Sequence, residues 1–281
     1  MRILVTRVQP QAQAWVELLQ AQNHDALALP LIEVRGLPDV SGIQTAGQRW
    51  SGYAAVMFVS RHAVDFLFKE NKALLLDLYV QEAIKTRAWS TGPGTANALL
   101  AHGVPAPYVV SPSEQSGQFD SEALWQQVQT QVQPGDKVLI VRGRSLAEDG
   151  VSWAENDAGV GRDWLAQRLT DAGVQVDFVV AYQRGAPVWN TQQCAMAHAA
   201  AADGSVWLFS SAEALGHLKG LLPAQDWSQA RAVATHVRIA QAARDLGFGR
   251  VLQARPVLAD VLASIQSLAW IDPKLSLTRS L

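Results

Sequence analysis

Several features that would announce a chemistry are missing from this chain. It has one cysteine, Cys194, in 281 residues, which excludes an internal disulfide and any site held by several thiolates. Lys and Arg number 23 against 25 Asp and Glu, a formal net charge of −2. No global field therefore draws nucleic acid or an acidic membrane, and an anionic ligand has to be held by local groups. No apolar run approaches the roughly 18 residues that cross a bilayer. Ile3-Leu4-Val5 is interrupted at Arg7, so the N-terminus does not read as a secretory signal and the expectation is a soluble, cytoplasmic protein. The histidines His24, His62, His102, His198, His217 and His236 show neither H-x-x-x-H nor H-E-x-x-H spacing, so no metal site is expected. The nucleophile elbow G-x-S-x-G is absent, against a hydrolase, and so is a P-loop.

What is present is a pattern written twice. Trp15 answers Trp164, Arg35 answers Arg184 and Pro38 answers Pro187, all 149 positions apart. Ile3-Leu4-Val5-Thr6-Arg7 answers Val138-Leu139-Ile140-Val141-Arg142, and Val56-Met57-Phe58-Val59-Ser60 answers Val206-Trp207-Leu208-Phe209-Ser210. These runs are apolar on both faces, as strands of a parallel sheet covered by helices above and below are. Helical patterns lie between them, as at Trp15, Leu18, Leu19 and at Trp164, Leu165, Leu169. Gly103, Gly173 and Gly247 stand where helices end. The fold class is therefore α/β, with two similar doubly wound parallel-sheet lobes.

Arg35–Pro38 and Arg184–Pro187 are the linker candidates, since Gly permits a sharp change of direction and Pro removes a donor. If both are crossings, one lobe joins residues 1–35 to 188–270, the other is 39–183, and 36–38 and 184–187 link them. The alternative is two lobes in sequence, split near Pro134-Gly135-Asp136, and periodicity does not separate the two. Ser145 to Val160 is acidic and has no counterpart in the first copy, so it reads as an inserted surface loop. Asp120-Ser121-Glu122 reads as a helix start, and residues 271–281 as a loosely held tail.

Two lobes suggest a cleft with like-built loops facing each other, suited to one large ligand. Ligands of open α/β sheets bind beyond the carboxyl ends of strands, where Ser60-Arg61-His62 and Ser210-Ser211 follow apolar runs, as binding groups or as plain helix caps. Arg7 and Arg142, with Gly143 and Arg144 beside the latter, also end strands, to clamp a carboxylate or to be surface charge. Gly92-Pro93-Gly94-Thr95-Ala96 is a glycine-rich turn into a helix, an anion site by its N–H groups and dipole or a simple turn capped by Thr95. The third glycine of a dinucleotide fingerprint is replaced by Asn97. Tyr182 is a phenol near a crossing, a proton donor or a half-buried packing residue. The ten tryptophans read as core and helix payload.

Taken in order, Ile3–Arg7, Phe58-Val59-Ser60-Arg61-His62-Ala63-Val64, Gly92–Ala96, Val138–Gly143, Gly161-Arg162, Val180-Ala181-Tyr182-Gln183-Arg184 and Leu208-Phe209-Ser210-Ser211 resemble the uroporphyrinogen-III synthases, from Arg2 to about Ser267. The resemblance implies a two-stranded connector with the first lobe discontinuous, and closure of the lobes about that connector. It implies a cofactor-free, metal-free cyclising lyase of heme and tetrapyrrole biosynthesis. Such an enzyme turns linear hydroxymethylbilane into a macrocycle with the last ring inverted, through an azafulvene and a spiro intermediate. Tyr182 is then the catalytic candidate, and Arg7, Ser60, Arg61, Thr95, Arg142, Gly143, Ser210, Ser211, His236 and Arg238 bind the eight carboxylates. The partners implied are the tetrapyrrole substrate and the upstream bilane-forming enzyme, with no nucleic acid and no membrane, for an expected monomer. Two departures stand out. Arg238-Ile239-Ala240 replaces a family Thr-Ala pair, and 145–160 replaces a short turn.

Two rivals lie in other classes. One is a non-catalytic two-lobed small-molecule binding protein, whose exported examples carry a signal; the other is a Rossmann-type transferase using a nucleotide, which needs a complete glycine fingerprint. Turnover of hydroxymethylbilane to the type III isomer is expected to persist in full after exhaustive chelation and desalting. A requirement for added metal or nucleotide would contradict the resemblance.

Overall fold

The computed structural model describes residues 1–80, 85–112, 120–146 and 160–270. Most of the insert expected at 145–160, part of the polar stretch before Asp120 and the tail at 271–281 lie outside the described residues. The chain divides into two compact units, Met1–Glu33 with Gly185–Leu281, and Val34–Arg184.

The discontinuous unit opens with β1 (Arg2–Val5), α1 (Gln11–Gln20) and β2 (Asp25–Ala28). After β3 (Glu33–Gly36) the contiguous unit runs α2 (Ser41–Gln48), β4 (Ala55–Phe58), α3 (Arg61–Val80), β5 (Arg87–Ser90), α4 (Pro93–Ala101) and β6 (Val109–Val110). It continues with α5 (Ser121–Val128), β7 (Lys137–Ser145), α6 (Val160–Asp171) and β8 (Gln175–Gly185). The chain then returns to the discontinuous unit through α7 (Thr191–Ala200), β9 (Val206–Phe209) and α8 (Ala212–Leu221). It ends with β10 (Arg231–Ala234), α9 (Val237–Asp245), β11 (Arg250–Gln253) and α10 (Leu258–Trp270).

The discontinuous unit holds a sheet ordered β11-β10-β9-β1-β2, and the contiguous unit one ordered β3-β8-β7-β4-β5-β6. Exchange β1, β2, β9, β10 and β11 for β7, β8, β4, β5 and β6, and the two orders coincide except for β3, which is added at the edge beside β8. The repeat in the sequence is thus a repeat of topology, a doubly wound sheet whose winding direction reverses beside its first strand. The paired runs show why both faces are apolar. Val56 and Phe58 of β4 enter one core layer while Ala55 and Met57 enter the layer behind it. In β9, Trp207 and Phe209 face one layer and Val206 and Leu208 the other. Each large buried side chain contributes about 1.5–3 kcal/mol.

Helix ends follow the local chemistry. Gly103, Gly173 and Gly247 take φ of +97°, +78° and +102°, the left-handed geometry that turns the chain out of α4, α6 and α9. Asp120 caps α5 by accepting the Ala123 N–H at 2.9 Å. One difference separates the copies. Pro30 stands where the second copy has Val179, and the first copy breaks there into β2 and β3, while the second runs on as the eleven-residue β8. β2 is an edge strand, where a missing proline N–H is tolerated, whereas β8 has neighbours on both sides.

Two glycines of the discontinuous unit separate the reasons for glycine. A Cβ on Gly249 would lie 1.9 Å from the backbone oxygen of Ser228, whereas one on Gly216, inside α8, would meet nothing within 4 Å. Gly249→Ala is expected to lower unfolding stability in urea by more than about 2 kcal/mol through backbone displacement. Gly216→Ala is expected to raise it by about 0.5–1 kcal/mol.

Candidate functional site

In the contiguous unit the winding reverses between β7 and β4, which run parallel with Val141 opposite Phe58. β4 ends there and α3 begins, and Ser60 caps the helix by accepting the Ala63 N–H at 3.2 Å. Ser60 Oγ also lies 3.0 Å from the hydroxyl of Tyr182, which comes from β8, on the far side of β7. The phenol ring reaches Ser60 by passing over Gly143. The register irregularity between Arg142 and Gly143 sets Gly143 opposite Tyr182, and a Cβ on Gly143 would fall 2.2 Å from the Tyr182 Cζ. Phe66 stacks on the ring at 5.9 Å and His62 lies tilted at 5.6 Å. Tyr182 is 4% exposed. It is a core residue of β8 rather than a residue of a connecting turn, and its hydroxyl is the part turned to the end of the sheet.

Arg142 does not end its strand, as the sequence suggested, because β7 runs on to Ser145 alongside β8. Its guanidinium lies over the exposed ring of Phe178, 4.7 Å from the centroid. Arg61 is turned along its own helix to Asp65, whose carboxylate also meets His102 at 2.9 Å.

The equivalent point of the discontinuous unit lies between β1 and β9, where Val5 stands opposite Leu208. Arg7 follows β1, and its guanidinium covers the Trp15 ring at 4.7 Å. Arg7 Nε is buried with no hydrogen-bond partner among the described residues. Burial pushes the Arg7 guanidinium down from its usual range, yet a guanidinium stays protonated at neutral pH. On the neighbouring strand, Ser210 precedes Ser211, the N-cap of α8, which makes no side-chain capping bond. A half-buried cation and a helix N-terminus without a side-chain cap are each groups that can receive a carboxylate.

The remaining candidates differ from the sequence reading. Thr95 is not the cap of α4. Gly92 is, without a side-chain bond, and Thr95 is a buried residue of the first turn. Pro93 has no N–H, and the N–H groups of Thr95 and Ala96 are committed to Gly92 O, so the turn presents fewer free donors than its glycines implied. His236 caps α9, its Nδ1 accepting the Arg238 N–H at 3.2 Å. That bond fixes the tautomer with hydrogen on Nε2, and Arg238 is exposed. The local pattern gave Ser60, His62 and Gly143, but not Phe66, nor that His62 and Phe66 flank the phenol or that Trp15 lies under Arg7, since only tertiary contacts bring these together. Grooves of about 380 Å³ between α8 and α9 and between α2 and β8 involve none of the candidates. Among the described residues no cluster of His, Cys, Asp or Glu would hold a metal ion, and no helix is long and apolar enough to cross a membrane.

Comparison with known proteins gives one family. Residues 13–152 match the family described as Uroporphyrinogen-III synthase HemD. The uroporphyrinogen-III synthase of Salmonella typhimurium is 28% identical over 265 residues, covering 88% of this chain and 92% of the relative. That of Escherichia coli is 29% identical over 259 residues with the same coverage. Among solved structures, the Helicobacter pylori uroporphyrinogen-III synthetase aligns with a TM-score of 0.54 at 17% identity, over 95% of this chain and all of that one. A mutant Thermus thermophilus uroporphyrinogen III synthase aligns with a TM-score of 0.51 at 18% identity, over 97% of this chain and 100% of its own. At such identities the structures bear on the fold alone.

Arg7 gives a test of stability that is independent of any activity. Because its buried Nε lacks a partner, Arg7→Met is expected to leave the thermal unfolding midpoint unchanged or raise it. A clear fall would mean that the guanidinium holds the fold together rather than awaiting a ligand.

Proposed function

The chain belongs to the uroporphyrinogen-III synthase family, and we propose on that premise that it closes linear hydroxymethylbilane to uroporphyrinogen III with loss of water. The observation that carries the reading at the level of chemistry is the Tyr182–Ser60 hydroxyl pair at the N-terminus of α3. A phenol held at the carboxyl end of a parallel sheet is placed to give up a proton.

The reaction asks little of the protein beyond that. The hydroxyl leaves as water with the Tyr182 proton, pushed by the pyrrole electrons, and the phenolate and an azafulvenium cation remain. The substituted carbon of the last ring attacks it to give a spiro centre. The ring then detaches and rejoins through its other α-carbon, and the proton lost as that ring regains aromaticity restores the phenol. Folding a flexible chain into the reacting geometry supplies the greater part of the acceleration. Local cations and helix ends such as Arg7 and the N-terminus of α8 are the groups we propose to meet carboxylates of the substrate. This agrees with the small net charge of −2. We read the enzyme as a cytoplasmic monomer that works without metal or cofactor.

General acid assistance is worth about 10²–10⁴-fold, and the substrate ionises readily by itself. Tyr182→Phe is therefore expected to slow single-turnover formation of the type III isomer by about 10²-fold while leaving product affinity and unfolding stability close to wild type. Arg7→Met is expected to do the reverse, weakening product binding roughly ten- to hundredfold with a smaller effect on the bound rate. A wild-type rate in Tyr182→Phe would make Tyr182 a packing residue only.

A further inference from the structure

We infer that Ser60 and Gly143 serve the reaction through Tyr182, Gly143 by letting the phenol ring cross β7 and Ser60 by turning the phenolic proton outward. The inference rests on Tyr182 being the proton donor proposed above. It makes both residues positioning residues.

The crossing is a matter of space. Neighbouring strands stand about 4.8 Å apart, and the Tyr182 side chain starts on β8 yet ends against the residue after β4, with β7 between. It has to lie down over β7. A Cβ at position 143 would be 2.2 Å from Cζ, 2.3 Å from Cε2 and 2.7 Å from the hydroxyl. No side chain larger than hydrogen is compatible with the ring where it is. Phe66, stacked on that ring, is itself accommodated by a glycine, since a Cβ on Gly36 would press on its Cε1 at 3.3 Å.

The direction of the proton follows from the cap. Ser60 Oγ already accepts the Ala63 N–H, and a hydroxyl that accepts from a helix-end amide is polarised into a better donor. When its hydrogen points to the Tyr182 oxygen, the phenol's own hydrogen is left for an acceptor outside the pair. After transfer the same bond stabilises the phenolate. The other copy of the repeat provides a contrast. Ser60 and Phe66 correspond to Ser210 and Gly216, 150 positions on, and Tyr182 corresponds to Glu33, 149 positions back. The serine recurs, but the phenol and the aromatic wall do not. The pairing therefore belongs to the contiguous unit and is not a by-product of the fold.

A double-mutant cycle decides the matter. Single-turnover rate, product affinity and thermal unfolding are measured for wild type, Ser60→Ala, Ser60→Thr, Tyr182→Phe and Ser60→Ala/Tyr182→Phe. Ser60→Ala is expected to slow the chemical step about tenfold, the worth of one hydrogen bond, with product affinity little changed. Ser60→Thr should restore most of the rate, and the double variant should be no slower than Tyr182→Phe. Equal slowing by Ser60→Ala in both backgrounds, or an effect confined to affinity, overturns the inference and leaves Tyr182 as proton donor. A wild-type rate in Tyr182→Phe overturns both. Gly143→Ala is expected to slow the step at least as much as Tyr182→Phe. If Gly143→Ala does not fold, the serine cycle decides alone.

Discussion

Everything in the discontinuous unit depends on the ladder between β1 and β9. It joins Ile3, Leu4 and Val5 to Val206, Trp207 and Leu208, and it is extended by the Thr6 hydroxyl, which donates to Leu208 O at 2.8 Å, 202 positions away. Without that ladder β1 and β2 have no sheet to join. The same ladder creates the reversal of winding at which the candidate groups collect.

The duplicated architecture has been put to unequal use. Both copies follow a central strand with a serine at the start of a helix, and both carry an arginine on the chain beside it, past the end of β1 in one copy and within β7 in the other. In one copy the arginine is half-buried against an indole, with an unpartnered nitrogen. In the other it lies over an exposed phenyl ring, and a phenol from the next strand has come in above a glycine. The serine before a helix is kept in both units, whereas the phenol lying over a glycine occurs in one.

The elements legible in the sequence were those whose cause is local. The four doubly apolar runs became β1, β4, β7 and β9, because burial on both faces leaves its mark in consecutive residues. Gly103, Gly173, Gly247 and Asp120 sit where their backbone or side-chain chemistry required. The edge strand β6 was not legible, since Val109–Val110 is only two residues long. Thr95 was misread for a related reason. Thr next to a helix start suggests a cap, but Pro93 sets the first turn two residues earlier and puts Thr95 inside it. Ser60, Gly143 and Tyr182 were each visible alone. That the second exists to let the third reach the first depends on the order β8-β7-β4, which no single stretch of sequence contains.

The interleaving of the two units has a consequence for the chain as it leaves the ribosome. Residues 34–184 are contiguous, so that unit has all its strands as soon as β8 has emerged, and it can complete its core during synthesis. β1 and β2 appear first but must wait through the whole of it, holding Ile3, Leu4, Val5 and Ala26 without the partners that bury them. For that interval the nascent protein carries a finished domain trailing a short apolar pair of strands. Their exposure ends only with the arrival of β9, at residue 206. The time taken to synthesise the chain from β2 to β9 thus sets how long the N-terminal strands are open to capture by chaperones or by other nascent chains.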